Sequence, residues 1–306
     1  MVDYKAALLR PFTNPRKLAV AVMLQFIPFL IFVGLVFMLD PQFLRQQILG
    51  NSPYQPGELS PKLLLIVLIS IIFSIASVWA GLVFQGYVVA CGKSALYGSL
   101  RLPEWKGWGG LLKKGFFSAI IALVYFSPII AFFVWVSFSA QYKLMSYAAG
   151  ADSLSLVKAA LDMGPSVFVL FPLFILLLLV IPVAVLSYAS TDKLSSAFNI
   201  GAVFSRTFRF KYLLNSLGLL VFAFFASWII GLPLVGLSII ESIHGIGFLL
   251  SEIFSTLVYE FLNVVLAIIF ISVLGQVYAE MDGNRPVPIK NEISHRRPVA
   301  RKVKKS

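Results

Sequence analysis

Glu260 is the clearest place in this 306-residue chain to look for chemistry. An ionisable side chain stands there inside an apolar run of membrane-spanning length, with Asn263 one helical turn later on the same face. A charged group at mid-bilayer costs about 2.5–3.5 kcal/mol on insertion scales unless it is protonated, paired or close to the interface. Glu260 and Asn263 are therefore the candidate intramembrane polar site. They could bind a proton or a cation, or form a hydrogen-bonded structural pair, and the structural role is the expectation. Gln25, Gln85 and Asn215 also lie in or near apolar runs and are expected to hydrogen-bond between helices rather than hold ligands. Pro28, Pro128, Pro172, Pro182 and Pro233 could break helices beside a site, although prolines are also routine kink formers in membrane helices.

No arrangement suited to catalysis accompanies these groups. His244 and His295 fall in a loop and in the tail, so the His-Glu-x-x-His zinc helix is missing. No span holds paired aspartates. Gly107-Trp108-Gly109-Gly110 lacks the Gly-Lys-Ser/Thr that completes a phosphate-binding loop, and Ser187 and Ser190 have no base nearby in sequence. The single cysteine, Cys91, can form neither an internal disulfide nor a cysteine metal cluster, and is expected to pack near the end of a span. The expectation is a protein that is not an enzyme and has no cofactor or metal.

The elements that must position these residues are apolar helices. The chain is 59% hydrophobic and 12% charged, against about 45–50% and about 25% in globular proteins, more apolar surface than a water-soluble fold could hide. Six stretches, at roughly 18–39, 63–91, 116–138, 165–189, 212–237 and 253–278, are each long enough to cross a hydrocarbon core of about 30 Å. They are continuous rather than alternating with period two, so they read as helices and not barrel strands. The expected fold is all-α: an integral membrane bundle of six transmembrane helices with interfacial amphipathic helices. It divides into a membrane domain over 1–280 and a basic, disordered tail over 281–306.

Charge orients this bundle. Of the 25 Lys and Arg residues, 21 lie in four segments: before the first span, between spans two and three, between four and five, and after six. Basic residues near span ends stay cytoplasmic, which places both termini inside, and the net charge of +12 follows from that retention rather than from a nucleic-acid role. The first span is too long for a signal-peptide core and lacks an obvious cleavage site, so it is expected to remain as an anchor. No Asn-x-Ser/Thr glycosylation acceptor exists.

Capping chemistry marks span starts at Asn14-Pro15 and Ser60-Pro61. Of the outer loops, the first reads as a turn-rich connector and the second as a short amphipathic helix with Leu154, Val157 and Leu161 on one face. The third, Ser238 to Glu252, is apolar and expected to dip into the interface.

The basic segments are three lead-ins to three hairpins. In the first, Tyr4, Leu8 and Pro11 follow one face while Lys5, Arg10, Arg16 and Lys17 stay polar. In the second, Leu102-Pro103-Glu104-Trp105-Lys106-Gly107-Trp108 runs into Leu111, Leu112, Lys113 and Lys114, with Trp105, Trp108, Leu112 and Phe116 near one face, as suits an interfacial aromatic belt. In the third, Leu194, Phe198, Gly201, Phe204 and Phe208 follow helical spacing opposite Arg206, with Ile200 and Val203 spoiling the polar face. Trp105, Trp108, Lys113, Lys114, Arg206 and Arg209 form the candidate interfacial surface, toward plain membrane anchoring or toward anionic lipids or a partner. Repetition of hairpins would be parallel, which lends no support to transporter folds built on inverted repeats. The tail carries Arg296, Arg297, Arg301, Lys302, Lys304 and Lys305 among prolines and is expected to enforce topology, with contact to anionic headgroups as the functional alternative.

Gly86-Tyr87-Val88 ending a span, then a basic stretch, Leu102-Pro103-Glu104-Trp105 with Trp108 following, and an outgoing span together resemble the prokaryotic membrane family catalogued as domain of unknown function 4013. The pattern Ala6-Ala7-Leu8-Leu9-Arg10-Pro11-Phe12 before the first span is similar as well. The resemblance implies a polytopic cell-membrane protein from bacteria or archaea without an established activity, and it carries over no catalytic residue. The expected partners are the bilayer, anionic lipids and other membrane proteins, with no specific nucleic acid. The favoured function is organisation of lipids or partner proteins through the basic and aromatic cytoplasmic face. The alternative is a small-solute or ion permease using Glu260 and proline-broken helices.

Overall fold

The computed structural model describes residues 2–39, 61–148, 153–241 and 245–283. The first connector between spans and the tail beyond Gly283 lie outside the described residues. The chain is helical throughout: α1 (Tyr4–Leu9), a 3-10 turn (Arg10–Thr13), α2 (Pro15–Leu39), α3 (Pro61–Leu96), α4 (Trp108–Ala148), α5 (Ser153–Thr191), α6 (Leu194–Ala197), α7 (Ile200–Thr207), α8 (Phe210–Glu241) and α9 (Gly245–Met281). No strand occurs among the described residues, and six of the helices are long and apolar enough to cross a membrane. The all-α, six-span reading therefore stands.

The helices exceed the apolar runs that announce them. At about 1.5 Å per residue, the 36 residues of α3, the 39 of α5 and the 37 of α9 reach far beyond a hydrocarbon core of about 30 Å. Hydrogen bonding inside the backbone continues past the point where apolar side chains stop. The amphipathic helix expected after Ser153 is accordingly no separate element but the first turns of α5. Nor do the prolines break spans: α2 runs through Pro28, α4 through Pro128 and α8 through Pro233, and α5 includes Pro172 and Pro182. A proline removes one N–H donor, and a long helix in lipid tolerates that by local adjustment.

Close packing explains the arrangement. Helix α3 is the hub, touching α2, α4, α5 and α9, while α8 lies at the periphery against α9 and α7. Two glycine crossings hold the hub. A Cβ added at Gly86 would sit 1.9 Å from the Leu111 carbonyl oxygen, and one at Gly115 would sit 1.7 Å from that of Leu82, so the backbones of α3 and α4 touch. At the second crossing, a Cβ on Gly275 would meet Ala95 Cβ at 2.9 Å and the Gly92 oxygen at 3.0 Å, bringing α9 onto α3. Gln25 donates to the Ala80 carbonyl at 3.1 Å, Gln85 to Ser118 Oγ at 3.2 Å, and Asn215 accepts from the Tyr4 hydroxyl at 2.6 Å. These three polar side chains thus join α2 to α3, α3 to α4 and α1 to α8.

The main core gathers at one end of the bundle. Its cluster takes in Ala7 of α1, Tyr87 to Leu96 of α3, Leu102, Val183 to Ala189 of α5, Val203 of α7 and Ile268 to Ala279 of α9. That is the end where the three basic lead-ins meet the last turns of α9, and we call it the basic end.

Candidate functional site

At the basic end, the deepest charged group is Arg10, which is fully buried. The sequence pattern leaves it on a polar face, but the structure turns it inward, with Ala7 and Pro11 buried beside it and Leu8 and Tyr4 exposed. The hub helix offers what an arginine fork needs, and Leu8 is left exposed. Nη1 donates to the Cys91 carbonyl at 3.0 Å and to Ser272 Oγ at 2.7 Å, and Nη2 donates to Ser94 Oγ and to the Arg101 carbonyl at 3.0 Å. No carboxylate pairs with it among the described residues. Its charge instead faces oxygens at the carboxyl end of α3, where the helix dipole is negative. Burial pulls its pKa below the ordinary arginine value, and the fork of donors holds the first lead-in, α3, α9 and the loop after α3 together.

Around this arginine the loop 101–107 folds as a plug rather than as a helical anchor. Trp105 is half-buried and lies flat against Tyr87, with ring centroids 4.0 Å apart, while its indole N–H donates to the Lys17 carbonyl at 3.0 Å. Lys17 Nζ donates to the Leu102 carbonyl at 2.8 Å and pairs with Glu104 at 2.7 Å, and that pairing holds the Glu104 carboxyl below its ordinary range. Gly107, at φ +68°, reverses the chain into α4. Trp108, the first residue of α4, is exposed and stacks on Trp79 at 6.3 Å. The two tryptophans read as one interfacial face therefore divide: Trp105 packs inward and Trp108 faces outward.

The third lead-in also departs from a single helix. Asn199 caps a new start, accepting from the Ala202 N–H at 3.2 Å, and this break rotates α7 relative to α6. Val203 and Thr207 consequently become the buried face of α7, while Ile200, Gly201 and Phe208 are exposed. Arg206 grips Asp282 with Nε at 3.0 Å and Nη2 at 3.2 Å, and lies 4.9 Å above the Tyr278 ring. The Tyr278 hydroxyl in turn meets Ser187 Oγ at 2.9 Å. Arg209 donates to the Met281 carbonyl at 2.6 Å, Lys211 pairs with Glu280, and Lys93 pairs with Asp192.

The basic residues thus fall into two groups. Arg10, Lys17, Lys93, Arg206, Arg209 and Lys211 are turned to internal carbonyls or carboxylates. The side chains of Lys5, Arg16, Arg101, Lys106, Lys113, Lys114 and Lys193 make neither an ion pair nor a hydrogen bond among the described residues. Lys113 lies over Phe117 at 5.8 Å. Beside this second group stand exposed Tyr4, Leu9, Phe12, Trp108, Phe208 and Phe210. Elsewhere, Glu260 is half-buried on α9 with Asn263 within hydrogen-bonding reach and exposed. No group of three His, Cys, Asp or Glu converges on one point among the described residues.

Arg10 is the residue that sequence reasoning misplaced. A usable signal exists in the small and hydroxyl-bearing residues Cys91, Gly92, Ser94, Ser272 and Gly275, which crowd two otherwise bulky spans and leave room for a guanidinium.

The bundle, its glycine crossings and its basic, aromatic end define a multi-pass α-helical membrane protein. Residues 69–239, more than half of the chain, match the model of the family described as protein of unknown function, DUF4013, and the chain belongs to that family. The match includes Gly86-Tyr87-Val88 and the plug from Leu102 to Trp108, and leaves out Ala6 to Phe12. Neither the curated proteins nor the solved structures give a match.

Proposed function

We propose that this protein is a non-enzymatic organiser of a prokaryotic cell membrane, with its basic end on the cytoplasmic side, that gathers anionic lipids there. The orientation follows from retention of basic residues inside. One observation supports the lipid role: the side chains of seven cations at the basic end make neither an ion pair nor a hydrogen bond among the described residues, and exposed aromatic rings lie among them. A lysine or arginine near an anionic surface contributes about 1 kcal/mol, so several acting together enrich such lipids locally. Acidic membrane-protein partners would use the same face.

Electron spin resonance with spin-labelled phosphatidylglycerol and phosphatidylcholine in reconstituted vesicles tests the reading. The labelled phosphatidylglycerol is expected to be immobilised preferentially at low salt, with the preference falling as screening increases. Equal immobilisation at all salt concentrations would remove the proposal. The permease alternative rests on Glu260 and Asn263 and has its own test. Vesicles should then show solute flux that Glu260→Gln abolishes, whereas absence of flux in both forms would sink it.

A further inference from the structure

We propose that the groove between α3 and α4 holds one anionic glycerophospholipid of the surrounding bilayer, with an acyl chain along the groove and the phosphate at Lys113. This rests on the lipid reading of the basic end and adds a location and a stoichiometry. The groove has a volume of about 480 Å³ and lies on the outward side of two membrane-length helices. Ile75, Val78, Leu82, Leu112 and Phe116 make it apolar, and Lys113 is the one charged residue in its lining. Ile75, Val78 and Phe116 are more than half exposed, so in a membrane lipid chains meet them.

Charge complementarity selects among lipids. Lys106 and Lys114 stand close to Lys113 in sequence, and none of the three has an ion pair among the described residues. No carboxylate lines the groove, and Glu104, the acidic residue of the adjoining plug, is held by Lys17. The stacked Trp79 and Trp108 mark the level of the headgroup boundary, where amphipathic rings settle. Gly109 and Gly110 leave the first turn of α4 without side-chain cover, and that turn contains no acidic residue. A phosphate there meets ammonium groups and the positive end of a helix, with an open apolar groove for its chain below.

Native mass spectrometry of the full-length protein in detergent, given equal amounts of phosphatidylglycerol and phosphatidylcholine with identical chains, tests the site. The wild type should retain one phosphatidylglycerol with a preference of about fivefold, the effect of one cation near the headgroup. Lys113→Gln should bring the preference to near equality, and Val78→Trp, which fills the groove, should remove the retained lipid. Ile229→Trp, which adds the same bulk on the exposed face of α8 outside the groove, should behave as wild type. If the wild type prefers phosphatidylglycerol but neither Lys113→Gln nor Val78→Trp changes its retention, the groove is wrong while the lipid reading survives. Loss of preference in Lys113→Gln with the lipid still bound in Val78→Trp also overturns the groove. A wild type without any preference overturns both.

Discussion

Trp105 lies flat on Tyr87, their ring centroids 4.0 Å apart and their planes within 5° of parallel. The stack joins the loop 101–107 to the hub helix at the level where Arg10 enters, so an aromatic that composition assigns to the membrane interface instead seals the end of the bundle. Its indole N–H also spans to the Lys17 carbonyl and thereby connects the first two lead-ins.

Replacing this indole should loosen the seal. Trp105→Leu removes a stacked pair worth about 0.5–1.5 kcal/mol and a hydrogen bond worth about 1 kcal/mol. Together that is a loss of about 2 kcal/mol, read as a lower thermal unfolding midpoint in detergent. Trp105→Phe should lose less, because a ring still covers Tyr87.

Arg10 should be the most sensitive charged residue. Arg10→Met leaves two hydroxyls and two carbonyls to find new partners and should destabilise by about 3 kcal/mol or more. Arg10→Lys should recover only part of that, since one ammonium cannot span four acceptors held in a fork geometry. Equal unfolding midpoints for wild type and Arg10→Met would contradict the role given to this residue.

At the glycine crossing, Gly86→Ala and Gly115→Ala should each cost about 1–3 kcal/mol, because the new methyl meets backbone rather than a movable side chain. Gly81→Ala, with nothing within 4 Å of the added carbon, is the matched control. It should be neutral or slightly stabilising, since alanine favours a helix. Thermal unfolding of the three variants side by side checks this.

Acid should weaken the link between the first lead-in and the plug. The Glu104 carboxyl is held below its ordinary 4.5 chiefly by the hydrogen bond from Lys17. Its stabilising contribution is present above the unfolded value and is lost as pH falls through the lower, folded value. Wild type and Glu104→Gln should therefore differ at neutral pH and converge in strong acid. The neutral-pH difference should be small and should shrink with salt, because the pair is exposed.

Orientation is open to direct labelling. Cys91 is the chain's single cysteine and is buried, so Lys106→Cys adds one accessible thiol at the basic end. A membrane-impermeant maleimide should label it only after cells are permeabilised. Labelling in intact cells would place the basic end outside.

Much of the fold is legible because hydrocarbon imposes one dominant rule. Runs such as Leu170–Thr191 and Ser251–Met281 cannot avoid being helices, and Asn14-Pro15 marks where α2 begins. The basic end is less legible because its side chains are sorted by partners far away in sequence. Arg10 and Lys5 look alike in composition, yet Arg10 is drawn inward by Cys91, Ser94 and Ser272. Likewise, Arg206 belongs to Asp282 because Asn199 resets the helical face, a rotation that periodicity across the whole lead-in conceals.

The central claim is that the seven cations whose side chains have neither an ion pair nor a hydrogen bond among the described residues gather anionic lipid. Its most direct test is the composition of lipids carried out of native membranes with the full-length protein in polymer-bounded discs. The wild type should carry a higher anionic fraction than the membrane average. A variant with Lys5, Arg16, Arg101, Lys106, Lys113, Lys114 and Lys193 all changed to Gln should carry the average. The same anionic fraction around both forms would contradict the account.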